Sequence, residues 1–208
     1  MNGNSKLMII GAGGHGRVVR DTASLCGYSE ISFLDDRLVD ETCKVNICGG
    51  ISDYAQYLSD HDFFVAIGDG TARRKIFTML SQAGASIAVL IHPSASIGGD
   101  VTVGRGSVVM AGAVITNSAV IGEGVIVNTC ASVDHDCTLG DFVHISVGAH
   151  LCGSVTVGQD VFIGAGSTVI NNIDICPSAV LGAGSVVVKS ITEAGTYIGV
   201  PARKVKSE

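Results

Sequence analysis

From Ile91 onward every sixth residue is Ile, Val or Leu. Ile97, Val103, Val109, Ile115, Ile121, Val127, Val133, Leu139, Ile145, Leu151, Val157, Ile163, Val169, Ile175, Leu181 and Val187 follow without a slip. Four residues after each member runs a second column, Ala95 through Ser185, nearly all small or β-branched. Glycine often follows the first column directly, as at Gly98, Gly104, Gly122 and Gly140. A period of six fits neither a helix nor an alternating strand. It fits a parallel β-solenoid in which each hexad makes one short face and points its apolar residue inward. The small column then fills the crowded corners, where glycine supplies turn conformations closed to other residues. With three faces per coil, residues eighteen apart stack at about 4.8 Å, and five to six coils make a prism roughly 25 Å tall.

Composition agrees with such a fold. The chain is 47 % hydrophobic but only 5 % aromatic, lacks Trp and has 28 glycines, which argues against a Leu-rich helical bundle. A formal charge of −6 and an isoelectric point near 5.4 offer no electrostatic case for nucleic acid or an anionic membrane. The short run Arg73, Arg74, Lys75 reads as a solvated helix face. Seven cysteines form no CxxC pair, and the apolar run Leu7 to Ile10 is too short for a signal or membrane segment. A cytoplasmic protein with reduced thiols is expected, with Cys130, Cys137, Cys152 and Cys176 as small core residues and no metal.

Residues 1–90 read differently. Residues 6–10 (KLMII) make an apolar strand, GAGGHG follows, and a helix is expected over Arg17–Leu25. A second strand, Ile31–Leu34, ends in Asp35 and Asp36; a third, Phe63–Ile67, runs into Gly68, and a helix covers about 71–82. Strand, Gly-rich turn, helix, strand is a nucleotide-binding βαβ pattern, in which phosphate oxygens face N–H groups at a helix start. Gly11, Gly13 and Gly16 also meet the dinucleotide fingerprint, with Asp35 about where a ribose-binding acid would stand. The unit ends near residue 90, however, half the size of a full doubly wound domain, and a mononucleotide or nucleotide-sugar suits it better. The expected architecture is an α/β Rossmann-like unit (1–90) followed by a parallel β-helix (91–208).

The hexad run resembles the hexapeptide-repeat acyltransferases, and the tail TYIGVPARKV, with Gly199, Pro201, Ala202 and Arg203, looks like the ending those enzymes carry near the coenzyme A site. The resemblance implies a left-handed β-helix, a hand that general crossover rules would not have favoured. It also implies a homotrimer whose acyl-CoA and acceptor meet between neighbouring prisms. GAGGHG, a strand ending in Asp-Asp and a hexapeptide solenoid together resemble the nucleotide-amino-sugar N-acetyltransferases of the bacillosamine and perosamine type, grouped with sialic acid O-acetyltransferases. By motif match, Gly13, Gly14, His15, Asp35, Asp36 and Gly68 would hold the nucleotide sugar.

The segment VNTCASVDHDCTLGDFVHISVGAHL holds His135, Asp136, His144 and His150, none on the inward column; His135 and Asp136 read as lying on a face. Acyl transfer to an amine needs a proton acceptor, and imidazole, with an ordinary pKa of about 6.5, suits that task. The resemblance makes His135 the general base with Asp136 as its carboxylate. It places His144 near the acetyl-CoA thioester and the co-substrate along the coils by backbone amides around Ala165 and Ala183. His150 matches no motif. Cys137 belongs to the inward column, so direct transfer without an acyl-enzyme is expected. Three other readings stay open: O-acetylation of a sialic acid, a three-histidine zinc lyase of the β-helical carbonic-anhydrase kind, and a non-catalytic nucleotide-sugar sensor.

Overall fold

The computed structural model describes residues 5–37 and 45–205. The N-terminal unit is a five-stranded parallel sheet in the order β3-β2-β1-β4-β5. Its elements are β1 (Lys6–Ile10), α1 (Gly14–Leu25), β2 (Glu30–Leu34), β3 (Ile47–Gly49), a 3-10 segment (Ile51–Tyr57), β4 (Asp62–Val65), α2 (Gly70–Gln82) and β5 (Ser86–Ile87). Successive side chains of a strand point to opposite faces. Accordingly Leu7 and Ile9 join the cluster under α1, while Met8 and Ile10 join the one under α2. A sheet covered on both faces explains why β1 reads as one continuous apolar run. Helix α1 starts three residues before the expected Arg17, because Gly13 takes the N-cap in extended backbone and lets Gly14 open the helix.

The solenoid begins with Leu90–Ile91, which pairs with Val108–Val109. Three parallel ladders follow in strict eighteen-residue register, for example His144 on Ile126, His150 on Ser132 and Thr138 on Val120. They form a left-handed β-helix. The first face carries the strands at 90–91, 108–109, 126–127, 144–145, 162–163 and 179–181; the second starts at Ser96–Ile97, the third at Thr102–Val103. From Val109 upward the inward column is buried. Ile97 is 37 % exposed, against the expectation for the column, because its rung is the last of its sheet and has no coil beneath it. Each corner repeats one left-handed backbone position every eighteen residues; at one corner it is taken by Asp100, Ser118, Asp136, Ser154 and Asn172. Short polar side chains tolerate that conformation better than other non-glycine residues do.

Only Cys137 of the four presumed core cysteines is buried; Cys152 and Cys176 are half-buried and Cys130 is exposed. Cys130 occupies a left-handed corner position, which turns it out of the prism. Gly195–Ile198 extends the first face, and Arg203–Lys204 pairs antiparallel with it. Among the described residues no helix is long and apolar enough to cross a membrane.

The two parts dock tightly. Outward-facing Leu90, Val108 and Ile126 of the first face belong to the apolar cluster beneath α1. Helix α2 runs along the corner between the third and first faces. Arg74 forms a two-pronged ion pair with Asp160, its Nε 3.1 Å and Nη2 2.8 Å from the carboxylate oxygens, and lies 4.3 Å over the Phe142 ring. Phe77 packs edge-on against the same ring. Arg73 is 1 % exposed. The expectation of a solvated arginine face therefore fails: a run of like charges looks soluble on its own helix, but here the prism covers that face.

Candidate active site

The Gly-rich turn, the end of β2 and the end of β4 surround one cavity of about 460 Å³ lined by Gly13, Gly14, His15, Asp35, Asp36 and Gly68, together with Gly11, Arg37, Ile51, Ala66 and Ile67. This is the size range of small-ligand sites. All six residues expected to hold a nucleotide sugar thus line one space. Gly11 makes the tight turn at φ +103°. Gly16 permits α1 to approach β1, since a Cβ there would run into the Gly11 carbonyl. Asp35 accepts a 2.8 Å hydrogen bond from the Ala12 N–H and is gripped by Arg37. The Arg37 hydrogen bond, helped by the Ala12 N–H, holds its carboxyl down at about 2 despite partial burial. Asp36 accepts from the Ile51 N–H at 2.7 Å and ties the 3-10 segment to the cavity rim.

His135 and Asp136 lie in the turn between the second and third faces, not on a face as their spacing suggested, because only two residues of each hexad are extended. His135 Nδ1 stands 2.8 Å from Asp136 Oδ2. Both side chains are more than half exposed. The Asp136 hydrogen bond, with the Asp134 charge next, raises the imidazole above its ordinary value. With Nδ1–H donating to the carboxylate, Nε2 presents a lone pair outward. Gly153, one coil above, leaves the room in which the ring sits; a Cβ there would overlap it.

His144 occupies the fourth rung of the outward column of the first face, after the buried Leu90, Val108 and Ile126. It marks the edge of the surface covered by the N-terminal unit, and Phe162 on the next rung packs edge-on against its ring. The Thr129 N–H donates to Asn128 Oδ1 at 2.8 Å, which fixes the amide and aims its Nδ2 at His144 Nε2, 3.2 Å away. Nε2 therefore accepts, and the neutral ring carries its proton on Nδ1. That Nδ1, like His15 Nε2, is buried without a hydrogen-bond partner. Both rings are held neutral, pushed down to about 4 by desolvation first and the Arg73 charge second, with His15 acting further on His144. The Gly68 backbone partly offsets this for His144 without making a short hydrogen bond to it. Two buried imidazoles with one unused nitrogen each, beside the cavity, can bind oxygen or hydroxyl groups without adding charge.

Ala165 and Ala183 stack at the corner between the first and second faces, exposed, beside the His144 face; the Ala165 carbonyl takes the Gly184 N–H at 2.8 Å. His150 lies on the second face, bonded to Ser132 Oγ at 2.8 Å. The three histidines of the segment thus occupy a corner and two different faces and do not converge within one chain. In particular, the His135 corner is the one opposite the first face, so His135 and His144 of a single chain stand on opposite sides of the prism. Four site features escape a reading of the sequence: Arg73, Asn128, Arg37 and Gly153. Only Gly153 carried a usable signal, standing eighteen residues after His135.

Comparison with known proteins places the fold. The PglD N-terminal domain family matches residues 6–80. UDP-N-acetylbacillosamine N-acetyltransferase of Bacillus subtilis (strain 168) is 35 % identical over 108 residues, a match that spans half of this chain and half of that protein. The acetyltransferase domain of PglB from Neisseria gonorrhoeae FA1090 superposes with a TM-score of 0.94 at 41 % identity, covering 97 % of this chain and 100 % of that one. The same domain has been solved in complex with acetyl coenzyme A. A mutant of perosamine N-acetyltransferase from Caulobacter crescentus, in complex with CoA and GDP-perosamine, superposes with a TM-score of 0.93 at 35 % identity over 97 % of both chains. A nucleotide-type α/β unit riding on a left-handed β-helix is the architecture of the β-helical sugar acetyltransferases. Within that class, the chain belongs to the bacillosamine- and perosamine-type acetyltransferase family.

Proposed function

We propose that the protein is an acetyl-CoA-dependent N-acetyltransferase that acts on the amino group of a nucleotide-linked 4-amino-4,6-dideoxy sugar, UDP- or GDP-linked, for the biosynthesis of a surface glycan or glycoprotein. The observation that carries this reading is the His135–Asp136 pair, 2.8 Å apart on an open corner. The amine of the sugar attacks the thioester carbonyl carbon of acetyl-CoA, and the C–N bond forms. His135 Nε2 takes the proton that the nitrogen sheds, while Asp136 holds the ring in the Nδ1–H tautomer and stabilises the imidazolium. Collapse of the adduct breaks the C–S bond, and the proton returns to the departing CoA sulfur. The N-acetyl sugar and free CoA leave, with no acyl-enzyme.

The nucleotide would sit over the Gly-rich turn at the start of α1, with Asp35 and Asp36 at its ribose or base side. Backbone groups near Ala165 and Ala183 would guide acetyl-CoA along the corner beside His144. Since His135 and His144 of one chain face opposite ways, the complete site would form where the His135 corner of one copy meets the cleft of the next, as closed cyclic symmetry allows. That arrangement favours a homotrimer, and the reaction uses no resident metal.

The test is CoA release from acetyl-CoA with UDP- and GDP-linked 4-amino-4,6-dideoxy sugars and free sialic acid as acceptors. Turnover on a nucleotide amino-sugar, reduced by about 10² to 10⁴ in His135→Ala, is the expected result. Turnover on free sialic acid alone would replace N- by O-acetylation, and an undiminished His135→Ala would remove the base assignment.

A further inference from the structure

Arg73 is 1 % exposed, yet among the described residues none of its short contacts is to a carboxylate. Its Nη1 donates to the carbonyls of Ile67 and Gly68 at 2.8 and 2.9 Å, on the rim of the nucleotide cavity. Its Nε donates to the Gly124 carbonyl at 2.9 Å and its Nη2 to the Phe142 carbonyl at 2.8 Å. Gly124 and Phe142 are one coil apart on the same corner of the solenoid. The guanidinium therefore spans two separately built parts, two carbonyls on each. Only a rigid, planar fork of donors can do this; an ammonium reaches one side at a time.

A charge buried without an ion-pair partner is expensive, and an apolar residue of similar volume often packs as well or better. The retention of charge here therefore calls for a reason other than stability. Its surroundings supply one. Asp69, Asp160 and Arg74 are the other charged groups acting on Arg73, and desolvation outweighs them, lowering its pKa to about 10, so the guanidinium stays cationic at neutral pH. That cation is the second cause, after burial, that keeps His15 and His144 uncharged.

We propose that Arg73 is a positioning residue for the transfer: it fixes the Ile67–Gly68 rim of the nucleotide cavity against the Gly124–Phe142 corner. A nucleotide sugar then meets His15 and His144, one from each part, at a set spacing. This rests on the nucleotide-sugar reading of the cavity. Arg73 touches neither substrate nor reacting atoms, so its loss acts through the cavity rim and through the two imidazoles it faces.

The experiment compares full-length wild type with Arg73→Lys and Arg73→Gln. Calorimetry measures binding of UDP and GDP without turnover; steady-state kinetics give the KM of each substrate; imidazole NMR follows the titration of His144. In Arg73→Lys, nucleotide Kd and nucleotide-sugar KM are expected to rise about tenfold, the effect of losing about one charged hydrogen bond, with a smaller change in acetyl-CoA KM. In Arg73→Gln, His144 is expected to take up its proton at higher pH than in wild type. A folded Arg73→Lys protein with wild-type nucleotide affinity overturns the proposal. So does a loss of active fraction that leaves both KM values alone, which is what a purely structural role gives. If wild type itself binds neither nucleotide, the reading of the cavity falls and this proposal falls with it.

Discussion

Gly153 offers a way to disturb the base without touching it. A Cβ built on Gly153 falls 2.5 Å from Nε2 and 3.1 Å from Cδ2 of His135, where comfortable contact needs about 3.5–4.0 Å. Gly153 lies outside the left-handed region, so alanine is allowed by the backbone, and the whole conflict falls on the imidazole. That ring is 57 % exposed and can swing away at little cost in stability. Alanine also narrows the unfolded ensemble, worth up to about 1 kcal/mol in favour of folding. The ring cannot swing by about 1 Å and keep its bond to Asp136, and a misplacement of that size costs about 10²-fold in rate. Gly153→Ala should thus fold with a melting temperature within a few degrees of wild type. Its kcat, followed by thiol detection of released CoA, should fall about 10²-fold while acetyl-CoA KM holds. Wild-type kcat in the variant would refute the placement of the base. A collapse in melting temperature would refute the claim that the space belongs to the ring.

Other expectations follow from the same geometry. Asp136→Asn removes the carboxylate hydrogen bond that, ahead of the Asp134 charge, raises the His135 pKa. Since the base works only unprotonated, the acid limb of the kcat/KM profile should move to lower pH while the plateau drops; an unmoved limb argues against the pair. His15 and His144 have folded-state values near 4, against about 6.5 when unfolded. The unfolded chain therefore binds more protons between those values, so stability should be full above pH 6.5 and fall toward pH 4, by on the order of 3 kcal/mol for one such ring. Urea unfolding at pH 7.5 and 5 checks this, and the difference should shrink in His144→Gln. Gly16→Ala drives a Cβ into the Gly11 carbonyl, backbone against backbone. It should cost about 2–3 kcal/mol in urea unfolding and abolish nucleotide binding.

What the residues reveal in order, and what they hide, has a physical pattern. The hexads are legible because each inward Ile, Val or Leu answers to its own chain neighbours, eighteen residues away, and nothing else intervenes. The Gly-rich turn is legible for the same reason: Gly11 and Gly16 serve a local crossing of helix and strand. Strands β3 and β5 are hidden, being three and two residues long, too short for any period. Arg73 is hidden because Gly124 and Phe142, the partners that bury it, lie more than fifty residues away on the prism, so its own helix makes it look soluble. One signal went unused. The outward column of the first face, Leu90, Val108, Ile126, His144, Phe162 and Val180, is apolar but for His144, whereas the second face shows Ser96, Val114, Ser132, His150, Thr168 and Val186. Its first three members, Leu90, Val108 and Ile126, are buried under the N-terminal unit, whereas Phe162 and Val180 beyond the histidine are exposed, so the lone histidine marks the edge of the cover.

The decisive measurement exploits the opposite placement of His135 and His144 on the prism. His135→Ala and His144→Ala chains, each inactive alone, are co-expressed with different tags, and mixed oligomers carrying both are purified. If each site takes its base from one copy and its cleft from the next, a mixed trimer contains one intact site in three, and about a third of wild-type CoA release should return. Mixed oligomers as inactive as their parents would contradict a site shared between copies.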